Sequence, residues 1–291
     1  MTSVDSQVIF ITGGARGIGA EVARRLHGKG AKLVLTDLDE APLAALATEL
    51  GDDRVLTVVA DVRDQSAMQA AADRAVKRFG GIDVVLASAG ILSFSSVLHG
   101  DPTGFKRVLD VNVLGVFHTV HATLPAVIER RGYVLIVSSV AAFAAAPGMA
   151  AYDASKAAVE QLANALRLEV THLGVRVGSA HMSWIDTRMV QDAKSELAKV
   201  NEMIGTLPWP LNKTTSVDKC AAAFVKGVEK RKKVVYEPGW VRLLRWFKPM
   251  LPTRVGDSLV KSAIALLPGI DAEVAALGRS TSARIESLER R

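Results

Sequence analysis

Residues 8–19 read Val-Ile-Phe-Ile-Thr-Gly-Gly-Ala-Arg-Gly-Ile-Gly, and a helical pattern follows through His27. The apolar run ending at Thr12 has the length of a buried strand. Gly13, Gly17 and Gly19 permit a tight turn and let backbone come close to a ligand. The first N–H groups of the helix carry partial positive charge, so strand, glycine turn and helix together suit a pyrophosphate. The spacing Thr12-Gly13-x-x-x-Gly17-x-Gly19, with Ile18 inside it, differs from the commoner Gly-x-Gly-x-x-Gly. Taken by itself it is also consistent with a plain turn.

A second apolar run, 32–36, ends on Asp37, twenty positions after Gly17. An acid placed there can bond the ribose hydroxyls of NAD and repel a 2′-phosphate. The plainer reading is a solvated strand-end acid beside Asp39 and Glu40. Arg16 pulls toward NADP, since a base next to the glycine turn can pair with that phosphate. Asp37 sits where the ribose lies, so NAD is the expected cofactor, with NADP second.

Apolar runs recur at 55–60, 82–87, 133–137, 175–180 and 233–236. Segments with helical periodicity lie between them, at 42–50, 65–79, 105–130, 155–173 and 217–230. This alternation predicts an α/β fold: a Rossmann-type doubly wound parallel sheet of about seven strands, with helices on both faces. Residues 1–238 read as one domain, with its site at the carboxyl ends of the strands. The stretch 181–211, with Trp184, Met189, Met203 and Trp209, is long for a connection and predicts a substrate loop with helical pieces. Residues 239–291 form a basic and apolar helical extension.

The run from Ser138 to Lys156 carries the chemistry. Ser139 follows the apolar run 133–137, and Tyr152 and Lys156 stand at i and i+4, on one helix face. The thirteen positions from Ser139 to Tyr152 leave a loop long enough to bring the tyrosine back over the serine. A free tyrosine, with a pKa of about 10, is a poor base near neutral pH. An ammonium nearby favours the phenolate. A serine hydroxyl can hold a substrate oxygen while its charge changes. Tyr-x-x-x-Lys alone arises by chance in many helices; joined to Ser139 and the glycine turn it defines a site.

Composition narrows the classes. Of 291 residues, 49% are hydrophobic, enough for a well-buried core, and the net charge of +6 is modest, so no nucleic-acid partner is expected. A lone cysteine, Cys220, excludes an intrachain disulfide and reads as a buried small side chain in an apolar helix. The amino terminus shows no signal-peptide pattern, and a cytoplasmic location is expected. Residues 133–152 carry no charge, but Pro147-Gly148 and Ser138-Ser139 argue for strand and loop over a membrane span. His118 and His121 lie at i and i+3 without an acid or cysteine at ligand spacing, and no metal site is expected.

Over roughly residues 8–240 these motifs resemble the short-chain dehydrogenase/reductase family. The resemblance rests on Thr12-Gly13-x-x-x-Gly17-x-Gly19, Asp61-Val62, Ala89-Gly90, Asn112, Ser139 and Tyr152-x-x-x-Lys156. It implies Tyr152 as acid/base, Ser139 as the group orienting the substrate oxygen, and Lys156 as a ribose ligand that lowers the tyrosine pKa. It also implies Asn112 holding a water in a proton relay, Asp61 and Val62 beside the adenine, and Ile185 and Thr187 on the nicotinamide carboxamide. Two departures stand out: Ala87-Ser88-Ala89-Gly90 where the family usually has Asn-Asn-Ala-Gly, and Met182-Ser183 where it usually has Pro-Gly. The first puts in question a hydrogen bond that steadies the central sheet, the second the shape of the following loop.

The expected activity is hydride transfer between NAD(H) and a hydrophobic secondary alcohol or ketone, with Ala141, Phe143, Met149, Met182 and Trp184 lining the substrate pocket. Two rivals are an NAD-binding regulatory or structural protein without turnover, and a sugar epimerase or dehydratase of the extended branch of the family. The first needs none of Asn112, Ser139, Tyr152 and Lys156; the second usually has different glycine spacing and a longer C-terminal domain. The family usually pairs the helices predicted at 105–130 and 155–173 across a two-fold axis, so a homodimer or homotetramer is expected. In the extension, Trp240, Leu243, Leu244, Phe247 and Leu251 fall on one helical face, with Arg242, Arg245 and Lys248 off it. That pattern fits either packing on the domain or a sister subunit as part of the substrate pocket, or peripheral contact with a membrane.

Overall fold

The computed structural model of the protein describes residues 3–289. Each apolar run becomes a strand because it can bury both faces at once. Val8–Thr12 (β1), Val84–Ala87 (β4) and Tyr133–Val137 (β5) are buried along their whole length. Lys32–Asp37 (β2), Val55–Val59 (β3), Arg176–Met182 (β6) and Val234–Glu237 (β7) complete a parallel sheet of order β3-β2-β1-β4-β5-β6-β7. The order reverses between β1 and β4, and a crevice opens there at the carboxyl ends.

Successive strand residues feed two separate cores, as the period of two requires. Ile9, Ile11, Leu33, Leu35, Leu86 and Leu135 pack beneath the helices Gly17–His27 (α1), Glu40–Leu50 (α2) and, later in the chain, residues 217–229. Cys220 is buried in this core beside Leu26 and Phe224. Phe10, Val34, Val85, Val134 and Ile136 face the other way, onto Gln65–Phe79 (α3), the long helix 102–129, and Ala150–Val170 (α6). The long helix comprises Pro102–Leu109 (α4), a π-turn at Asp110–Leu114 and Gly115–Glu129 (α5). Among the described residues it alone is long and apolar enough to cross a membrane, yet over half of its most apolar stretch lies inside the core.

The connection after β6 folds into Arg188–Glu196 (α7) and Ala198–Thr206 (α8), the helical pieces expected there. Val217–Glu229 (α9) then returns to the sheet. Beyond β7 come five short helices: Val241–Phe247 (α10), Arg254–Leu259 (α11), Lys261–Ala265 (α12), Leu267–Leu277 (α13) and Ala283–Glu289 (α14). Ala263 and Ile270 are buried against Val200, Met203 and Ile204 of α8, so this region shares a core with the substrate loop.

Differences from the sequence reading are local. The α6 helix starts at Ala150 rather than 155, which puts Tyr152 in its first turn. The Asp153 carboxylate reaches back to accept from the Ala146 N–H at 3.0 Å, tying the preceding loop to the helix start. The 105–130 helix begins at Pro102 because Asp101 caps the N–H groups of Thr103 and Gly104.

Candidate active site

The glycine turn is held by β2. Gly14 N–H donates to the Thr36 carbonyl at 3.0 Å, and Ala15 N–H donates to Asp37 Oδ2 at 3.0 Å. Gly13 has φ +66° and lies so close to the end of β4 that an added Cβ would stand 3.0 Å from Ala89 Cα. A Cβ on Gly19 would stand 2.1 Å from the Gly13 carbonyl oxygen, so α1 can enter the turn only with glycine there. Arg16 at the N-cap of α1 provides no side-chain hydrogen bond to the helix, and no acid occupies its first turn. The opening donors of α1 therefore face the crevice without a side-chain cap, with Gly17, Ile18 and Gly19 in its wall.

Asp37 lines the crevice as well as fixing the turn. Arg16 pairs with Asp39 at 2.8 Å, so the base that pulled toward a 2′-phosphate already has an acidic partner. Asp61 and Val62 lie further along the wall, where Arg63 holds the Asp61 carboxylate through Nε and Nη2 at 2.9 and 2.7 Å. Thr12 lies outside the wall. Its hydroxyl oxygen accepts from the N–H groups of Ser88 and Ala89 at 3.1 and 3.2 Å, tying β1 to the end of β4. This supports the segment in which Ala87-Ser88 stands for the family's Asn-Asn.

At the other end of the crevice, Ser139 leaves β5, and Tyr152 and Lys156 rise from α6. Ser139 Oγ accepts from Ala141 N–H at 3.2 Å. Lys156 is almost wholly buried; its Nζ donates to the Val137 carbonyl at 3.1 Å and lies 5.5 Å from the centre of the Tyr152 ring. Burial pulls its pKa down to about 8. Burial pushes the Tyr152 phenol up to about 12, while hydrogen bonding with the Ser139 hydroxyl opposes the rise and the Asp153 carboxylate adds to it. This differs from the expected lowering by Lys156. The ammonium is turned to a backbone carbonyl rather than to the phenol oxygen, so desolvation wins.

Asn112 sits in the π-turn and is fully buried, outside the crevice wall. Its amide accepts from Ile91 N–H at 2.8 Å and donates to the Ile91 carbonyl and to Ser155 Oγ, both at 3.0 Å. Ser155 in turn donates to the Tyr152 carbonyl at 2.7 Å. Asn112 thus joins the end of β4 to the first turn of α6. His118 and His121, the histidine pair of this helix, point elsewhere: His118 Nδ1 faces the Val62 carbonyl at 3.0 Å, and His121 stacks on Phe117.

Ile185, Thr187 and Met182 line the crevice; Ala89 and Gly90 form its floor. Met149 and Trp184 lie outside the wall, in an apolar cluster that also takes in Tyr152, Met189, Leu92 and Phe94. Phe143 belongs to a different cluster, with Val241 and Leu244, and Ala141 precedes it in the same short turn. The Phe143 ring packs tilted against His181, with ring centroids 4.7 Å apart. His181 is buried and held neutral, its pKa pulled down to about 4 by desolvation; it lies between Ser179 Oγ at 2.9 Å and the Ser139 carbonyl at 3.3 Å. Phe143 therefore supports the backbone beneath Ser139 rather than lining the crevice.

Several wall residues escaped the sequence reading. Ser183, in place of the family's glycine, has a buried hydroxyl with no hydrogen-bond partner among the described residues, and it faces the crevice. Arg188, Met189 and Val190 come from the start of α7. Arg284, Ile285 and Leu288 of α14 close the remaining side, more than 120 residues after Lys156. The α14 segment is fastened by Glu286 to Arg107 at 2.7 Å and to Thr281 at 2.8 Å, and by Glu196 to Arg279. Ser183 left a signal as a departure from a motif, and Arg188, Met189 and Val190 fall in the stretch 181–211 read as a substrate loop; nothing in spacing or periodicity ties α14 to this site.

Residues 7–198 match the family profile described as short chain dehydrogenase. An uncharacterised oxidoreductase of Staphylococcus saprophyticus is 32% identical over 196 residues, covering 66% of this chain and 84% of that protein. The (-)-trans-carveol dehydrogenase of Rhodococcus erythropolis is 34% identical over 209 residues, covering 66% and 76%. Among solved structures, a short-chain dehydrogenase/reductase from Burkholderia phymatum in complex with NAD superposes with a TM-score of 0.73, covering 84% of this chain and 94% of that one; at 24% identity it shows the shared fold. The chain belongs to the short-chain dehydrogenase family and is an oxidoreductase of the class acting on CH–OH groups.

Proposed function

We propose that the protein transfers a hydride between NAD(H) and a hydrophobic secondary alcohol or ketone, with Tyr152 as the general acid/base. One observation carries this reading: Ser139, Tyr152 and Lys156 meet at one end of a crevice whose other end is the glycine turn and Asp37. The uncapped donors of α1 and the carboxylate of Asp37 fit a dinucleotide. Gly13, Gly17, Ile18 and Gly19 would hold its pyrophosphate and Asp37 the adenosine ribose, with Asp61, Val62, Ala89 and Gly90 around the adenine half. Lys156 would hold the other ribose, with Ile185 and Thr187 on the carboxamide. When bound, the nicotinamide supplies the hydride; the organic chemistry is the cofactor's.

The chain's own groups manage the proton. A phenol near pKa 12 is protonated at neutral pH, so Tyr152 is ready to donate to a carbonyl oxygen. Ser139 Oγ can donate to the same oxygen as charge grows on it. Lys156, near pKa 8, is still a cation at neutral pH and lies 5.5 Å from the centre of the Tyr152 ring; turned to the phenol oxygen, it would favour the phenolate left behind. Asn112 and Ser155 position the first turn of α6 and so the phenol.

The substrate side is apolar. Met182, Met189, Ile285 and Leu288 wall it, and the Met149–Trp184 cluster backs Tyr152. A lipophilic alcohol suits such a wall, and carveol, the substrate named for one relative, is of that kind. We further assign residues 1–238 as the catalytic unit and 239–291 as an extension that completes the substrate wall. Replacement of Tyr152 by Phe tests the proposal. Turnover on an identified alcohol should fall by roughly 10²–10⁴-fold while NADH binding stays within a factor of a few. Near wild-type turnover in Tyr152→Phe would sink the assignment. No turnover in the wild type, with NADH still bound, would favour a binding protein of the same fold.

A further inference from the structure

We infer that the outer face of α10 docks on the surface of an anionic phospholipid bilayer. The helix carries two apolar faces, not one. Its inner face is fixed: Val241 is fully buried against Ala142 and Phe143, with Leu244 beside it. Arg245 and Lys248 are drawn down to the buried Glu160 carboxylate at 3.5 and 3.3 Å, which locks the helix about its axis. The outer face presents Leu243, Trp246 and Phe247, and the 3₁₀ turn 248–250 that follows the helix adds Met250, at i, i+3, i+4 and i+7. All four are more than half exposed, and Trp246 is 79% exposed.

A monomer rarely leaves a contiguous patch of this kind without a use for it. Its chemistry selects the occupant. Residues 239–265 hold five cations (Arg242, Arg245, Lys248, Arg254 and Lys261) against Asp257 and the Glu160 carboxylate that takes up Arg245 and Lys248, which leaves an excess of positive charge. Arg242 and Arg254 are exposed and make no ion pair among the described residues. Tryptophan and long aliphatic side chains between basic residues are what an interfacial helix offers to headgroups and upper acyl chains. A second copy of the chain fits badly, since a two-fold contact through this face would bring like charges together. At seven residues the helix is about 10 Å long, far short of a span, so the contact is peripheral.

This inference stands independently of the chemistry assigned to the crevice. The test is flotation of the full-length protein with phosphatidylcholine vesicles, with and without a third of phosphatidylglycerol. The expected result is co-flotation with the anionic vesicles, weakened by salt, and little with neutral ones. Trp246→Glu combined with Phe247→Ser should abolish flotation and leave the melting curve unchanged. Arg242→Gln and Arg254→Gln should each lower the partition coefficient about five-fold. Absence of wild-type flotation, equal flotation by the double variant, or equal flotation on neutral vesicles would overturn the inference. So would a wild-type oligomer that the double variant fails to form, which would make this face a self-interface.

Discussion

Single residues set the balance of the crevice, and two carboxylates show how. Asp37 serves twice, as an acceptor for Ala15 N–H and as a charge where a ribose would lie. Asp37→Asn keeps an acceptor and removes the charge. Calorimetry should find NADH bound more tightly than NADPH by the wild type, with the gap narrowed in the variant; a wild type that prefers NADPH would reverse the cofactor assignment. Asp153 is a different case. Burial raises its pKa to about 7, against about 3.9 in an unfolded chain, and Oδ1 finds no hydrogen-bond partner among the described residues. The folded protein therefore holds a proton that the unfolded chain has released. The associated stability is fully present below the unfolded pKa and is lost as pH rises through about 7. Thermal melts at about pH 5 and about pH 8 should show a smaller change in Tm for Asp153→Asn than for the wild type. Equal changes would mean that Asp153 titrates as a solvated acid.

Elements were legible where local physics decides them. The strands came directly from apolar runs, since a parallel strand buried on both faces has to be apolar throughout. Their ends moved by one or two residues, as at Val84–Ala87 against 82–87, because hydrogen-bond partners rather than hydropathy end a strand. The start of α6 was missed because Tyr152 and Asp153 lie upstream of the Ser155 reading, and the Asp153–Ala146 contact that secures the turn joins residues seven apart. As an apolar side chain Phe143 suits a pocket lining in the sequence; what it packs against, Val241, is almost a hundred residues away. The surface of the helical layer carries its own expectation. Leu114 and Phe117 on the π-turn and α5, and Leu168 on α6, are exposed beyond what the core requires. We propose that they meet their symmetry mates, as the family resemblance implies. Light scattering should report a dimer or tetramer, with Leu168→Glu shifted toward monomer. A wild-type monomer at micromolar concentration would remove this reading.

At the scale of the whole molecule, the glycine turn, Asp37, Ser139, Tyr152 and Lys156 were all visible in the sequence, because each belongs to a short motif tied to a strand end. The wall opposite them was not. Arg284, Ile285 and Leu288 reach the crevice through packing of α12 and α13 on α8 and through the anchors of α14, none of which is a local property of the chain.

That wall also bears on timing. We propose that a ligand seated between Met189 and Ile285 leaves when α14 swings aside, which parts Glu286 from Arg107. On that proposal chemistry and exit become separate clocks, and exit is expected to be the slower one. A stopped-flow trace should show a burst of the first turnover followed by a slower steady state. In Arg107→Gln the steady state should quicken toward the burst, with the burst rate itself unchanged. An identical trace from both proteins would mean that products leave by a route that α14 does not guard.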